Sequence, residues 1–146
     1  KNVNWKTPMR RIEIGKGERL SLGTDVAVLS IGPIAENVKI AVKKAVSEGV
    51  SVAHYDMIFL KPLDNEILKE VAELRCPIIT VEDGVISGGL GSAVMEWMND
   101  NGYISVVKRI GVPDKFVAQG TVAQLYRLCE MDEDAIYNAI LTVKGQ

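Results

Sequence analysis

The residues of this 146-residue chain that could do chemistry gather in a few short segments. The densest is Gly88-Gly89-Leu90-Gly91-Ser92, set between a strand-like run and a helix-like one. Bare backbone N–H groups in such a loop, backed by the positive end of a helix, suit an anion. Gly88, Gly89, Gly91 and Ser92 therefore form a candidate anion or effector loop. The match to known phosphate loops is poor. Gly89-Leu90-Gly91 lacks the third glycine of a dinucleotide fingerprint, and no Lys-Ser or Lys-Thr pair follows as in a P-loop. Glu82 and Asp83, just upstream, would repel an anion. The plainer expectation is a tight turn that lets a helix pack closely on a sheet.

His54 is the sole histidine. It lies two residues before Asp56, so both fall on one face of a strand. A Ser-His-Asp site would need a presented serine, and no Gly-x-Ser-x-Gly elbow occurs. A single histidine does not make a usual zinc site. A structural or surface histidine is expected. Asp56, Glu82, Asp83 and Asp114 fall near strand ends and could converge, and paired carboxylates can do acid–base work. No nucleophile, metal cluster or cofactor loop stands beside them, so caps, turns and subunit contacts are expected instead. Glu82-Asp83-Gly84 fails as a thiamine diphosphate motif. That motif is Gly-Asp-Gly with a later asparagine; here Glu82 replaces the first glycine, and Asn99 and Asn101 come too early. No catalytic, cofactor-binding or metal-binding residue is assigned.

The elements that must position these groups follow from hydrophobic pattern. Val26 to Ile31 is a continuous apolar run closed by Gly32-Pro33, which suits a strand buried on both faces. Pro33 fits the first turn of a helix, whose N–H groups are unpaired anyway. Ile34, Val38, Ala41, Val42 and Ala45 recur at helical spacing, and Gly49 stops that helix. Val50 to Asp56 reads as the next strand. After a connector with Pro62, Asp64 caps a helix facing inward with Ile67, Leu68, Val71 and Leu74. Pro77 to Glu82 is a third strand. The glycine loop then opens a helix with Leu90, Val94, Trp97 and Met98 inward, ended by Asn101-Gly102. Ile104 to Ile110 is a fourth. Thr121 and Gln124 make a capping box, and Asp132 caps a last helix with Ile136, Ala139, Ile140 and Val143 inward. Strands alternating with helices mean crossovers and a mainly parallel sheet. Ligands of such sheets sit beyond the strands' carboxyl ends.

Residues 1–24 read differently, as a basic linker or N-terminal arm, with 25–146 as the domain proper. Ile12 and Ile14 suggest a short exposed strand or linker, Gly15-Lys16-Gly17 a turn, and Arg19 to Leu22 a second short strand. The first residue is Lys1, so the functional unit is expected to be longer. Apolar residues make up 47% and charged residues 25%, with net charge -2, an ordinary globular balance. No clustered basic face points to nucleic acid, and no apolar run is long enough for a bilayer. Nothing at the start of this sequence reads as a secretory leader, and none is expected. Cys76 and Cys129 are not spaced as a metal or redox pair and read as reduced thiols of a cytoplasmic protein.

One series of landmarks has a family look. It includes Thr7-Pro8, Ile14-Gly15-Lys16-Gly17, and Asp56-Met57-Ile58-Phe59-Leu60-Lys61-Pro62-Leu63-Asp64. It continues with Thr80-Val81-Glu82-Asp83, Gly88-Gly89-Leu90-Gly91-Ser92-Ala93-Val94, Ile110-Gly111-Val112-Pro113-Asp114-Lys115-Phe116 and Gln119-Gly120. Together these resemble the C-terminal domain of the transketolase family, in its 1-deoxy-D-xylulose-5-phosphate synthase branch. The resemblance implies a three-layer α/β/α fold with a mostly parallel five-stranded sheet and one antiparallel edge strand. It implies a parent enzyme that condenses pyruvate with glyceraldehyde 3-phosphate, releasing carbon dioxide, on the way to isoprenoid and thiamine precursors. Thiamine diphosphate and magnesium would be held by the two preceding domains, with none bound to this chain. Those domains would be its partners, in a homodimer, and its own role would be packing and dimer stability. The equivalent domain of a transketolase or of a 2-oxo acid dehydrogenase β subunit is an alternative, as is a stand-alone anion-binding module. One departure stands out: Ile58 occupies a position that is usually arginine in the family.

Overall fold

The computed structural model describes Pro8 and residues 11–145. Thr7 and most of the basic arm before Arg11 lie outside the described residues. The elements run β1 (Glu18–Ser21), β2 (Val26–Ile31), α1 (Ala35–Ser47), β3 (Val52–Asp56) and α2 (Asn65–Leu74). They continue with β4 (Ile78–Val85), α3 (Leu90–Asp100), β5 (Val107–Val112), α4 (Val122–Leu128) and α5 (Glu133–Lys144).

The five strands form one sheet in the order β1-β3-β2-β4-β5. β3, β2, β4 and β5 are parallel, and β1 pairs antiparallel with β3 at the edge. The apolar runs of β2 and β4 are satisfied because alternate residues bury against helices on both faces. Val26, Val28, Val52, Ile79 and Val81 pack under α1 and α5. Ala27, Leu29, Ala53, Tyr55 and Ile78 pack under α2 and α3. The result is three layers.

Local signals place the ends of the elements. Gly49, at φ +86°, closes α1. The Val50 N–H returns to the Ala45 carbonyl and the Gly49 N–H to that of Val46, so the last carbonyls find partners. Asp64 caps α2, accepting from the N–H groups of Glu66 and Ile67. Its second oxygen accepts the Gly17 N–H at 3.0 Å. That one buried carboxylate both starts a helix and fastens the segment leading to β1. Gly23 lets the chain cross β3, since a Cβ there would overlap the Val52 backbone. β1 thus lies inside the stretch expected to be an arm, as a paired strand of the sheet.

Four expectations shift. No strand forms at Ile12 and Ile14; both are exposed, and Ile14 with Gly15 makes a turn closed by the Lys16 N–H on the Glu13 carbonyl. β5 begins at Val107, and Ile104 is fully exposed. The Tyr103 ring stacks on Trp97, which holds the chain on α3 and delays its return to the sheet. Trp97 itself is only half-buried, because its indole N–H donates to Asn65 Oδ1 at 2.8 Å near the surface. Pro33 sits in a tight turn ahead of α1, with the Ala35 N–H on the Gly32 carbonyl.

Candidate functional site

All parallel strands deliver their carboxyl ends to one edge of the sheet. β2 leads through α1 to β3 on one side, and β4 leads through α3 to β5 on the other. The chain therefore reverses its order between β2 and β4, which is where open α/β sheets make a ligand crevice. Gly32 and Asp83 meet there, and a Cβ on Gly32 would lie 3.6 Å from that of Asp83.

The glycine loop opens beside this point, and its anion-binding capacity is used from within. Glu82 is 4% exposed and turns its side chain toward α3. Oε2 accepts the Leu90 N–H at 2.8 Å and Oε1 accepts the Gly91 N–H at 3.1 Å. A carboxylate on the first amides of a helix also meets the positive end of its dipole. Gly89 leaves the room for this, since a Cβ there would overlap the Glu82 carboxylate. The Gly88 N–H donates to Ser92 Oγ at 3.0 Å. Arg109 closes the loop from β5, with Nη1 donating to the Ile86 carbonyl at 3.0 Å and to Ser92 Oγ at 3.3 Å. Gly91 lies flat on that clasp; a Cβ there would come within 2.5 Å of Arg109 Cγ. The four predicted loop residues are thus brought together, around a carboxylate of the same chain. The available signal was an acid at a strand end ahead of a glycine-rich helix start. The clasp by Arg109 had no signal in the sequence.

The strand-end carboxylates do not converge. Glu82 goes to α3. Asp83 Oδ2 accepts the Tyr126 hydroxyl at 3.0 Å, and burial together with that carboxylate raises the phenol's pKa. Asp56 Oδ1 accepts the Ile58 N–H at 3.1 Å. Asp114 is exposed in the loop after β5. Ile58 stands at φ +55°, a left-handed backbone that a β-branched residue rarely adopts.

His54 is buried at 2% exposure, with Nε2 2.9 Å from Ser30 Oγ. Burial, helped by the positive charge of Lys39, lowers its pKa to about 4. It is a neutral imidazole at neutral pH, tied to a serine that is itself fully buried. Asp56, on the same strand face, goes elsewhere. Ser30, the one polar residue in the β2 run, was the signal for this partner.

These residues do not fit thiamine diphosphate. The amides that would cradle a diphosphate are taken by Glu82, whose charge opposes one. Among the described residues, no group of three or more His, Cys, Asp or Glu side chains is arranged to hold a metal. Cys76 and Cys129 are both free. Burial raises the pKa of the Cys76 thiol. No helix among the described residues is long and apolar enough to cross a membrane.

The family model for the transketolase C-terminal domain matches residues 15–136. The chain belongs to that family. The matched stretch begins at the turn before β1, so the transketolase C-terminal domain includes the antiparallel edge strand. Among curated proteins, it is 55% identical over 140 residues to the 1-deoxy-D-xylulose-5-phosphate synthase of Bacteroides thetaiotaomicron. That match covers 95% of this chain and 22% of the relative. It is also 55% identical over 133 residues to the synthase of that name from Parabacteroides distasonis, covering 91% of this chain and 21% of the relative. The chain thus spans about a fifth of the length of the curated relatives it matches. Among solved structures, it superposes on a split-gene transketolase described as an inactive β4 tetramer, with TM-score 0.86 and 32% identity. That covers 93% of this chain and 44% of the other. A transketolase from Pichia stipitis, at TM-score 0.65 and 16% identity, shares the fold.

Proposed function

We propose that this chain is the C-terminal domain of a 1-deoxy-D-xylulose-5-phosphate synthase, with no active site of its own. The 55% identity to such synthases across nearly the whole chain carries the reading. The parent would condense pyruvate with glyceraldehyde 3-phosphate and release carbon dioxide. Thiamine diphosphate and magnesium would sit in the two preceding domains. This domain would serve packing against them and the stability of a cytoplasmic homodimer. Residues before about Gly15 would act as the linker, and the glycine loop as a packing turn. The fate of the chemistry-bearing groups supports this, since Glu82, His54, Ser30 and Asp83 are each engaged by an internal partner. The same point weighs against a stand-alone anion-binding module.

The test is a chimaera. This chain replaces the corresponding C-terminal stretch of the Bacteroides thetaiotaomicron synthase, and pyruvate-dependent carbon dioxide release is measured. Activity close to that of the unaltered relative is expected. The 146-residue chain alone, given both substrates, thiamine diphosphate and magnesium, is expected to give none. An inactive, well-folded chimaera, or turnover by the chain alone, would overturn the proposal.

A further inference from the structure

The two edges of the sheet are treated differently. β1 covers β3 on one side, but β5 has no neighbour beyond it among the described residues. The Ile78 N–H bonds to the Val106 carbonyl and the Ile86 N–H to that of Val112. Even-numbered residues of β5 therefore turn their backbone groups to β4. Val107 and Arg109, in between, turn their N–H and C=O groups outward. Beside this row runs a groove between β5 and α5. Ala135, Ala139 and Val143 form its floor, and Val106 and Leu128 its rim. Val106 is 55% and Leu128 62% exposed.

We propose that this groove is a docking site for an extended peptide segment of alternating apolar and acidic residues, added to the sheet as a sixth strand. Only an extended backbone can answer outward N–H and C=O groups along a strand. Alternate side chains of such a segment would drop over the small residues of α5. The acidic preference comes from Lys108 and Lys115, both exposed in the groove lining and neither holding an ion-pair partner among the described residues. Among the described residues, Glu130 is the only acid lining the groove. Lysines along an edge also oppose its pairing with a second copy of itself. The proposal goes beyond the domain's place in a synthase and does not depend on it.

The experiment uses the whole chain labelled with ¹⁵N and a short blocked peptide alternating valine and glutamate. A counterpart with lysine for glutamate and a scrambled copy interrupted by proline are the controls. Expected are saturable shifts confined to β5 and α5, and at least about tenfold slower amide exchange at Val107 and Arg109. Lys108→Glu and Lys115→Glu should each weaken the glutamate peptide several-fold and together reverse the preference. The groove variants are exposed substitutions, so folding is checked by the unchanged spectrum elsewhere. Equal binding of the lysine peptide, or no slowing at Val107 and Arg109 at saturation, would overturn the proposal. So would a chain dimer that already protects these amides.

Discussion

Removing the charge of Glu82 should cost more than any other single loss of a carboxylate at the strand ends. Glu82→Gln keeps the shape but offers one acceptor to two buried N–H groups, those of Leu90 and Gly91. One charge-assisted bond is lost outright, at about 1.5–3 kcal/mol. The amide NH₂ then faces a buried donor, and the favourable charge at the start of α3 goes too, at roughly another 1 kcal/mol. The sum is about 3 kcal/mol. For a domain of this size, that lowers the melting temperature by roughly 6–12 °C. Urea unfolding at pH 7, followed by circular dichroism, should show a lower midpoint with an unchanged slope. Asp83→Asn is the control, because its carboxylate is exposed and, among the described residues, is bonded by the Tyr126 hydroxyl alone; it should cost less than about 1 kcal/mol. Gly89→Val should be at least as harmful as Glu82→Gln, because its side chain competes for the space of the carboxylate. A Glu82→Gln protein within about 0.5 kcal/mol of the parent would refute the idea that this carboxylate organises the loop.

His54 gives the chain an acid-sensitive core. Its folded pKa of about 4 lies below the usual value of 6.5. The unfolded chain therefore binds the proton first, and stability that is full above about pH 6.5 falls as pH drops toward 4, by up to about 3 kcal/mol. The urea midpoint measured across that window should fall less steeply for His54→Gln, and a parallel decline in both proteins would count against the assignment. Ile58→Gly should be neutral or stabilising by up to about 1 kcal/mol, because relief of the left-handed strain offsets the lost side chain; a loss above 1 kcal/mol in thermal unfolding would show that Ile58 is packed rather than strained. Asp64→Ala should cost about 2–4 kcal/mol and speed tryptic cleavage at Lys16 and Arg19, since the Gly17, Glu66 and Ile67 amides lose their common acceptor. Unchanged cleavage would mean that β1 holds without it.

What the sequence made legible was whatever depends on local pattern. β2 ran from Val26 to Ile31 as expected, because a run of apolar β-formers between Asp25 and Gly32 has one physical outcome. The caps at Asp64, Thr121 and Asp132 were readable for a like reason: a helix start needs an acceptor within three residues. The antiparallel edge strand followed from the family resemblance. What stayed hidden were contacts between positions far apart in sequence. Arg109 reaches Ser92 and Ile86 across the β4–β5 pair, and Tyr126 reaches Asp83 from α4. Asp64 was read as a cap, yet its second bond, to Gly17, ties down a segment 47 positions earlier. The candidate loop shows the difference most clearly. Its glycines and its helix start were visible, and so was the acid that would repel a ligand. That the acid is itself the occupant needed the register of β4 against α3.

That occupancy bears on what the domain is for. An open α/β sheet supplies a crevice at its order reversal without further design, and binding proteins fill it with polar groups that remain unpaired until a ligand arrives. Here most of the titratable groups at or near that edge are already paired: Glu82 with two amides, Asp83 with a phenol, and His54, two residues inside β3, with a serine. Each pairing stabilises the free domain and leaves fewer free donors for a small molecule. Among the described residues, one buried side-chain polar atom has no partner, Thr80 Oγ1, which lies beneath Gly91. The outward backbone groups lie along the outer side of β5, and Phe116, Val122 and Leu128 beyond it are all more than 60% exposed. α4 buries none of its residues fully. A crevice largely closed by internal pairs beside an exposed apolar flank is the arrangement that the proposed packing role calls for.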